Sequence, residues 1–159
     1  MLTSISSLVE TSFKYLDAFD FKKVSEKDHH TSSAIGGFEY GMSPLELTNA
    51  YTSFNDGNYQ PSHAITKVTD QEGNVLYKWK DRSKEIWNKS TVAKMRQLLH
   101  ETTLSGTARK AYFPTDYVDG KTGTTSDVKD MWLVGLTANY TTGVWIGRDK
   151  PDDELNTEQ

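Results

Sequence analysis

Three short strand patterns in the last third of the chain constrain its fold more than any other feature. They are Tyr117–Thr124, Met131–Thr137 and Gly143–Gly147, and each contains β-branched and aromatic residues, which are typical of short strands. The links between them are short, whereas a parallel crossover needs about a dozen residues or more. The three strands are therefore expected to be antiparallel neighbours in one sheet.

Helices are predicted in the first third of the chain. One helix, or two short ones, lies within residues 1–24, where apolar residues recur at three- and four-residue steps. These residues are Leu2, Ile5, Val9, Phe13 and Leu16. The next helix begins at Pro44, with Ser43 as its N-cap and Glu46 completing a capping box. It is expected to stop at Asn55–Asn58.

A β-hairpin and a further helix are predicted in the middle of the chain. Ala64–Val68 and Val75–Trp79 are short alternating runs separated by a stretch that contains a Gly-Asn turn, and this pattern is typical of a hairpin. Asn88 or Ser90 then caps a helix with an apolar stripe. This helix is expected to end near Gly106, whose residue type suits a left-handed C-cap.

Composition excludes several classes of protein. The chain has 159 residues, which fits one domain, a formal net charge of −4 and no cysteine. The negative charge argues against nonspecific nucleic-acid binding, and a chain without cysteine has no disulfides or thiolate metal sites. No apolar run approaches the roughly 20 residues needed to span a bilayer. The hydrophobic share of 35%, with 11% aromatic residues, predicts an aromatic-rich core that is shared with something else.

Two adjacent histidines raise the question of a metal site. His29 and His30 lie in Ser25–Gly37, a polar stretch that ends in two glycines and is predicted to be a loop. Adjacent side chains project in different directions, and no nearby carboxylate has ligand spacing. These histidines are interpreted as solvated loop residues, and neither a metal nor a cofactor is predicted.

The chemically richest stretch has the sequence Asp-Gly-Lys-Thr-Gly-Thr-Thr and begins at Asp119. It combines one ammonium, several hydroxyl donors and a glycine that allows close approach to the backbone. In an extended strand, Thr122 and Thr124 point to one face, whereas Lys121 and Gly123 point to the other. Such a strand could hold a carboxylate. The alternative is a polar edge strand that runs into a turn.

Five stretches occur in an order that is typical of one known family. They are Gly37–Gly57 (GFEYGMSPLELTNAYTSFNDG), Ser105–Ala108 (SGTA), Lys121–Thr125 (KTGTT), Asp130–Trp132 (DMW) and Val144–Gly147 (VWIG). Together they resemble the C-terminal half of the transpeptidase domain of bifunctional (class A) penicillin-binding proteins. The SPLEL…AY helix and the closing VWIG strand favour class A over the monofunctional class B relatives.

The resemblance implies an α+β fold of the penicillin-binding protein and serine β-lactamase type, with an antiparallel sheet flanked by helices. Residues 1–150 would be the C-terminal part of this transpeptidase domain, and residues 151–159 an acidic, disordered tail. The family works through a serine nucleophile in S-x-x-K, a second motif S-x-N, and K-T-G on a strand. Of these motifs, only K-T-G is matched in its expected place.

Literal matches to the other two motifs lie in the wrong places. Ser126–Lys129 spells S-x-x-K but follows the K-T-G strand at once, whereas the family has its nucleophile on a helix far upstream. Ser53–Asn55 spells S-x-N but ends a helix that the family uses as plain structure. Both are interpreted as chance matches. The missing motifs are expected to precede residue 1, and the chain to be a truncated, proteolytic or split piece.

The reaction that the resemblance implies is serine acyl transfer on the D-Ala-D-Ala end of a peptidoglycan stem peptide, which β-lactams mimic. Lys121 and Thr124 would be catalytic: Lys121 supplies positive potential and contacts the S-x-N serine, and the Thr124 N–H is half of the oxyanion hole. Substrate binding would fall to Thr122, Gly123, Thr124 and Thr125. The hydroxyls of Thr122 and Thr124 would hold the terminal carboxylate.

Other aromatic and acidic residues of these stretches receive structural interpretations. Asp130 and Trp132 match the D-x-W of the family and are interpreted as strand and loop support. Tyr40, Tyr51, Phe54 and Trp132 are predicted to be core aromatics.

The resemblance also implies partners and a location. The expected partners are the stem peptide, β-lactam antibiotics and the N-terminal half of the domain, and nucleic acid is not among them. The full-length protein would be membrane-anchored at the extracytoplasmic face of the bacterial cell membrane. On its own, the chain would be the inactive, substrate-binding half of a D,D-transpeptidase. The alternative is a noncatalytic module that binds the stem peptide or another protein.

Overall fold

The computed structural model describes residues 2–114, 116–125 and 128–148. Its α-helices are α1 (Leu2–Leu16), α2 (Pro44–Tyr51), α3 (Ser53–Asp56) and α4 (Lys89–Leu104). Its strands are β1 (Asn58–Tyr59), β2 (Lys67–Thr69), β3 (Val75–Lys78), β4 (Lys84–Glu85), β5 (Asp119–Thr124), β6 (Asp130–Leu136) and β7 (Thr141–Gly147). Short 3-10 turns occupy Glu26–Asp28, Thr31–Ile35 and Arg109–Ala111. The predicted tail, residues 151–159, lies outside the described residues.

The main sheet has the order β5-β6-β7, and all its pairs are antiparallel. Lys121 pairs with Val134, and Trp132 pairs with Trp145. The prediction of three antiparallel neighbours is therefore confirmed, although β5 begins at Asp119 rather than Tyr117. In this sheet β5 is an edge strand.

The capping signal before α2 forms as predicted. The Ser43 hydroxyl accepts a hydrogen bond from the Glu46 N–H at 3.2 Å, and the Glu46 carboxylate accepts one from the Ser43 N–H at 2.8 Å. The single helix expected beyond this cap is divided into α2 and α3 at Thr52. There the Thr52 hydroxyl and N–H both bond to the Asn49 carbonyl, which tightens the chain into a 3-10 turn.

Helix α4 begins as predicted but ends differently. Asn88 is the N-cap, and its side chain accepts a hydrogen bond from the Thr91 N–H at 2.9 Å. The predicted left-handed C-cap at Gly106 is wrong, because Gly106 does not adopt a positive φ. A Cβ on Gly106 would lie only 2.8 Å from the Thr102 Cα. The chain turns back tightly over the last helical turn, so this position needs a small residue rather than a left-handed one.

The predicted hairpin is confirmed as β2 and β3, which pair antiparallel with an irregular register between Val68 and Thr69. The Asp70 carboxylate accepts hydrogen bonds from the N–H groups of Glu72 and Asn74 in the connecting turn. Every residue of both strands is exposed. The hairpin therefore projects from the part of the protein that the structure describes.

Aromatic side chains form the core beside the first helices. Phe19, Ala50 and Tyr59 are buried together, and partly buried neighbours pack against them: Leu16, Phe21, Ile86 and Trp87. Tyr51, Phe54 and Trp132 are half-buried. The prediction that Tyr40 is a core aromatic is wrong, since its side chain is 66% exposed and lies in a loop where Lys23 stands over the ring.

The two faces of the main sheet differ. Val134 and Leu136 are buried on the face that meets the helices, and α2 approaches β7 so closely that a Cβ on Gly143 would overlap the Thr48 hydroxyl. On the other face Val144 and Ile146 are 46% and 56% exposed. At β7, one side of the sheet is therefore packed, and the other is apolar and open.

Candidate active site

The K-T-G residues lie along β5, at the edge of the main sheet. Lys121 and Thr124 are exposed, and Thr122 and Gly123 are half-buried. Within the described ranges, β6 is the strand that pairs with β5. The opposite edge of β5 is available at its last residues.

The ladder between β5 and β6 shows which backbone groups point to the outer edge of β5. The Gly120 carbonyl accepts a hydrogen bond from the Thr102 hydroxyl of α4, not from β6. In an antiparallel strand the N–H and C=O of a residue point to the same side, and residues two apart share that side. The N–H groups of Thr122 and Thr124 therefore face outward. The Thr125 N–H, which donates to the Asp130 carbonyl at 3.2 Å, points inward as this alternation requires.

Lys121 folds back onto its own strand. Its Nζ donates a hydrogen bond to the Thr122 carbonyl at 2.6 Å. This contact keeps the positive charge beside the outer edge of β5, where an anion could replace the carbonyl as its partner.

Thr122 meets a residue that the sequence analysis did not assign to the site. The Thr107 Oγ1 and Thr122 Oγ1 lie 2.5 Å apart, within hydrogen-bond distance. Thr107 belongs to the SGTA stretch that follows α4, which the resemblance had marked only as part of a pattern. The Thr107 hydroxyl is therefore an additional hydrogen-bonding group beside the K-T-G strand.

Thr125 is engaged in the turn after β5. Its Oγ1 accepts hydrogen bonds from the N–H groups of Lys129 and Asp130 at 2.9 and 3.0 Å. The predicted substrate-binding role of Thr125 stays a prediction, and in this structure its hydroxyl oxygen holds the turn that leads to β6.

Gly123 faces Trp132 across the ladder. A Cβ at Gly123 would meet the Trp132 Cβ at 3.4 Å, an ordinary van der Waals distance. The packing of the sheet therefore tolerates alanine at this position, and the fold alone does not explain the glycine.

The D-x-W pair supports the sheet. The Asp130 carboxylate accepts a hydrogen bond from the Trp145 Nε1 at 2.7 Å, and the rings of Trp132 and Trp145 lie 6.4 Å apart. These contacts agree with the interpretation of Asp130 and Trp132 as strand support.

A buried charged cluster lies under the first residue of β5. The Asp119 side chain is fully buried and forms an ion pair with the Arg96 Nε, while the His100 Nδ1 lies 3.6 Å from its other oxygen. Burial raises the pKa of the Asp119 carboxyl above its ordinary value, and the charges of Arg96 and His100 oppose this shift. Sequence reasoning missed the cluster, since Arg96 and His100 lie 23 and 19 residues before Asp119 in the chain.

The chance match to S-x-N, Ser53–Asn55, lies on α3 rather than on β5. Ser53 is fully buried; its hydroxyl donates to the Ala50 carbonyl at 2.7 Å and accepts from the Trp87 Nε1 at 2.9 Å. Ser53 is therefore a structural residue. Ser126 lies outside the described residues, as does Asp127.

The arrangement suits a carboxylate ligand in an extended peptide. One ammonium, the hydroxyls of Thr122 and Thr124, and two outward backbone N–H groups lie within four residues of an open strand edge. An added strand would pair with that backbone, and the cation and hydroxyls would bind an anionic terminus.

Comparison with known proteins identifies relatives of this chain. Residues 11–152 match the family model of the penicillin binding protein transpeptidase domain. Penicillin-binding protein 4 of Bacillus subtilis is 49% identical over 144 residues, which are 90% of this chain and 23% of that protein. Penicillin-binding protein 1A of Clostridium botulinum is 34% identical over 145 residues, which are 89% of this chain and 17% of that protein.

Solved structures show the same fold. Penicillin-binding protein 1A of Haemophilus influenzae aligns with a TM-score of 0.77 at 21% identity, covering 95% of this chain and 28% of that one. The D,D-transpeptidase domain of a peptidoglycan glycosyltransferase from Eggerthella lenta aligns with a TM-score of 0.55 at 24% identity, covering 68% of this chain and 28% of that one. The chain thus spans only about a fifth of the length of the curated relatives it matches.

No helix among the described residues has the length and apolar character needed to cross a membrane. The α+β architecture, with its antiparallel sheet and flanking helices, agrees with these relatives. The predicted resemblance is confirmed, and the chain belongs to the penicillin-binding protein transpeptidase domain family.

Proposed function

We propose that this chain provides the substrate-binding strand of a peptidoglycan D,D-transpeptidase whose serine nucleophile lies on a separate segment or polypeptide. The substrate would be the D-Ala-D-Ala end of a stem peptide, and β-lactam antibiotics would react at the same site. The observation that carries this proposal is the outer edge of β5. There the Thr124 N–H and the Thr122 N–H face outward beside the Lys121 ammonium.

Each residue of β5 has a distinct role in the proposed site. The Thr124 N–H would be one of two oxyanion donors, and removing one such donor typically costs about 3–4 kcal/mol of barrier. The hydroxyls of Thr122 and Thr124 would hold the terminal carboxylate, and Thr125 would assist from the turn. Lys121 would supply positive potential at the carboxylate and at the serine that passes the proton. Gly123, which has no side chain, would let the substrate backbone lie close against β5.

The reaction would proceed in two steps. The serine oxygen bonds to the carbonyl carbon of the penultimate D-Ala, the bond to the terminal D-Ala nitrogen breaks, and the serine proton passes to the departing amine. An amine from a second stem peptide then attacks the ester, and the serine leaves with a proton. A β-lactam stops at the first stage, because its amine stays tethered to the acyl group.

We also propose that the chain acts at the extracytoplasmic face of the bacterial cell membrane, where peptidoglycan is assembled. Its partners would then be the stem peptide, β-lactams and the polypeptide segment with the S-x-x-K and S-x-N motifs. The limited span of the match to longer relatives supports a role for additional sequence in the active enzyme.

Labelling with a fluorescent penicillin tests the proposal. The chain alone is expected to give no covalent adduct, and labelling should appear once a polypeptide with the S-x-x-K and S-x-N motifs of the family is added or fused. Lys121→Ala should abolish the restored labelling. The matched control is Lys94→Ala, which removes an exposed lysine on α4 and should leave labelling unchanged.

Two results would replace this proposal. An adduct on the chain alone would locate a nucleophile within it, with Ser126 as the first residue to map. Binding of a D-Ala-D-Ala peptide to the chain, without labelling in any mixture, would favour the noncatalytic binding module instead.

A further inference from the structure

From its position on α4, Arg96 contacts β5, the residue after β6 and α3, and Asn55 of α3 extends this set of contacts to β7. Its Nε forms the ion pair with Asp119 at the start of β5. Its Nη1 and Nη2 each donate to the Thr137 carbonyl, just after β6, at 3.4 Å. Nη1 also donates to the Asn55 Oδ1 at 3.2 Å, and the Asn55 Nδ2 donates to the Thr141 Oγ1 of β7 at 3.3 Å.

Neighbouring residues of α4 hold the backbone of β5 on both sides of Asp119. The Thr103 hydroxyl and the His100 Nδ1 donate to the Val118 carbonyl at 2.8 and 2.7 Å. The Thr102 hydroxyl donates to the Gly120 carbonyl. The strand is therefore fixed against the helix immediately before Lys121.

Stability alone does not account for this cluster. The Asp119 side chain is fully buried and that of Arg96 is 16% exposed, so folding removes both charged groups from water almost completely. Taking such a pair out of water is costly, and well-packed apolar residues are often as stabilising or more so. The feature that apolar residues could not reproduce is the set of polar contacts that one planar guanidinium makes with Asp119 of β5, the Thr137 carbonyl after β6 and Asn55 of α3.

The position of the cluster connects it to the candidate site. Asp119, Lys121 and Gly123 share one face of β5, and successive side chains on a face are about 6.6–6.8 Å apart. A shift of β5 at Asp119 would therefore move Lys121 and the outward N–H of Thr124 with it.

We propose that Arg96 and Asp119 are positioning residues, which set the placement of the Lys121–Thr124 segment for acyl transfer. This inference rests on the proposed function. Neither residue would touch the substrate, since both act through the backbone of β5. A purely structural ion pair would affect the stability of the whole domain instead, without a preferential effect on this segment.

The first test measures amide hydrogen exchange by NMR in the chain itself. Arg96→Met, Arg96→Lys and Asp119→Asn should each accelerate exchange at Lys121 and Gly123, whose N–H groups point toward β6 in the alternation derived above. Asp28→Asn is the matched control: Asp28 is also fully buried, and it accepts backbone hydrogen bonds from Ser25 and Glu39 instead. This control should leave exchange in β5 unchanged.

The second test measures penicillin acylation in the reconstituted enzyme described under Proposed function. Arg96→Met should lower the acylation rate constant by roughly 10- to 100-fold, since a displacement of about 1 Å can cost about 100-fold. Arg96→Lys, which keeps the charge but not the planar fork, should recover part of that loss. Asp28→Asn should acylate at the wild-type rate, although it also removes a buried carboxylate.

The two tests separate this inference from the proposed function. If the wild type never acylates, the proposed function fails, and the exchange data still decide whether Arg96 and Asp119 fix β5. If the wild type acylates and the Arg96 variants do so equally fast, the positioning inference is overturned. It is also overturned if exchange in β5 responds to Asp28→Asn as strongly as to Asp119→Asn.

Discussion

Asp119 carries its carboxylate in a place where charge is costly. Its side chain has no exposed surface, and burial is the main reason that its pKa is raised. Asp28 is buried to the same extent, but hydrogen bonds from the Glu39 and Ser25 backbone lower its pKa. Folding therefore shifts the pKa values of the two aspartates in opposite directions, as expected for buried carboxylates without and with backbone N–H donors.

This contrast predicts opposite pH dependences of stability. Because folding raises the pKa of Asp119, the native state holds its proton more tightly than the unfolded chain does. The contribution of Asp119 to the free energy of unfolding is complete below its ordinary pKa of 3.8 and is lost as pH rises through the raised pKa. We expect the free energy of unfolding of the wild type, minus that of Asp119→Asn, to fall over this window and then level off.

Asp28→Asn provides the comparison for this experiment. Folding lowers the pKa of the Asp28 carboxyl. The contribution of Asp28 to stability is therefore present above the ordinary pKa and is lost as pH falls through the lowered pKa. Urea unfolding at a series of pH values would measure both differences. Slopes of the same sign for the two variants would contradict the prediction.

At the scale of single residues, the sequence identified the strand of the candidate site but not the residues that support it. Lys121 to Thr125 were found because K-T-G-T-T is contiguous and its chemistry can be read directly. Arg96 and Thr107 were missed, because only the fold brings α4 and the loop after it to β5. Contacts across such separations leave no local pattern in one sequence.

At the scale of elements, α2 and β7 are in unusually close contact through Gly143. A Cβ there would overlap the Thr48 hydroxyl and lie 3.1 Å from the Thr48 Cβ. Gly123 lies on the same face of the sheet, where a Cβ would meet Trp132 at an ordinary distance. The packing therefore requires a glycine at residue 143 but tolerates a Cβ at residue 123.

We expect Gly143→Ala to lower the free energy of unfolding by about 1–3 kcal/mol, the usual cost of overpacking. Gly123→Ala should change it by less than about 1 kcal/mol while still reducing penicillin labelling in the reconstituted enzyme. Denaturant unfolding of both variants would measure these changes in the free energy of unfolding. Thr48→Ala, which removes the overlapping hydroxyl but keeps the Thr48 Cβ, should restore part of the stability lost in Gly143→Ala, and no recovery at all would show that the hydroxyl contact is not the cause.

Element boundaries were predictable where short-range chemistry sets them. The caps at Ser43 and Asn88 are local hydrogen bonds between residues three apart, so the sequence contains all of their parts. The break at Thr52 and the conformation of Gly106 after α4 depend on how the chain turns back on itself. Residue type alone suggested a continuous helix and a left-handed glycine, and both expectations were wrong.

At the scale of the whole molecule, the helices that the structure describes leave part of one face of the main sheet exposed at β6 and β7. Met131, Val144 and Ile146 are 38%, 46% and 56% exposed on the other face, and Met131 pairs with Ile146 across the ladder. The low hydrophobic content had predicted a core shared with something else. An exposed apolar face of this kind is where soluble proteins commonly associate.

We therefore expect the isolated chain to self-associate as its concentration rises. Sedimentation velocity over a concentration series would measure this, and the double variant Val144→Lys/Ile146→Lys should shift the distribution toward monomer. Leu76→Lys is the control, since Leu76 is 68% exposed on the separate hairpin. A monomer at every concentration, or an equal response to both variants, would contradict the expectation.

The α+β class and the family could be recognised from the sequence as a whole. Five stretches in the right order carry more information than K-T-G alone, and they fall on α2, the end of α4 and the three strands of the sheet. The open face could not be located in this way, since the strand patterns do not show which side the helices cover.

The hydrogen bonds from α4 to β5 have a consequence for sequence drift. His100 and Thr103 donate to the main-chain carbonyl of residue 118, and every amino acid supplies that acceptor. Substitutions of Val118 can therefore preserve these bonds, whereas substitutions of the two donors cannot. In a deep mutational scan, loss of these bonds should therefore make substitutions of His100 and Thr103 on α4 poorly tolerated. The bonds themselves should place no such constraint on the side chain of Val118.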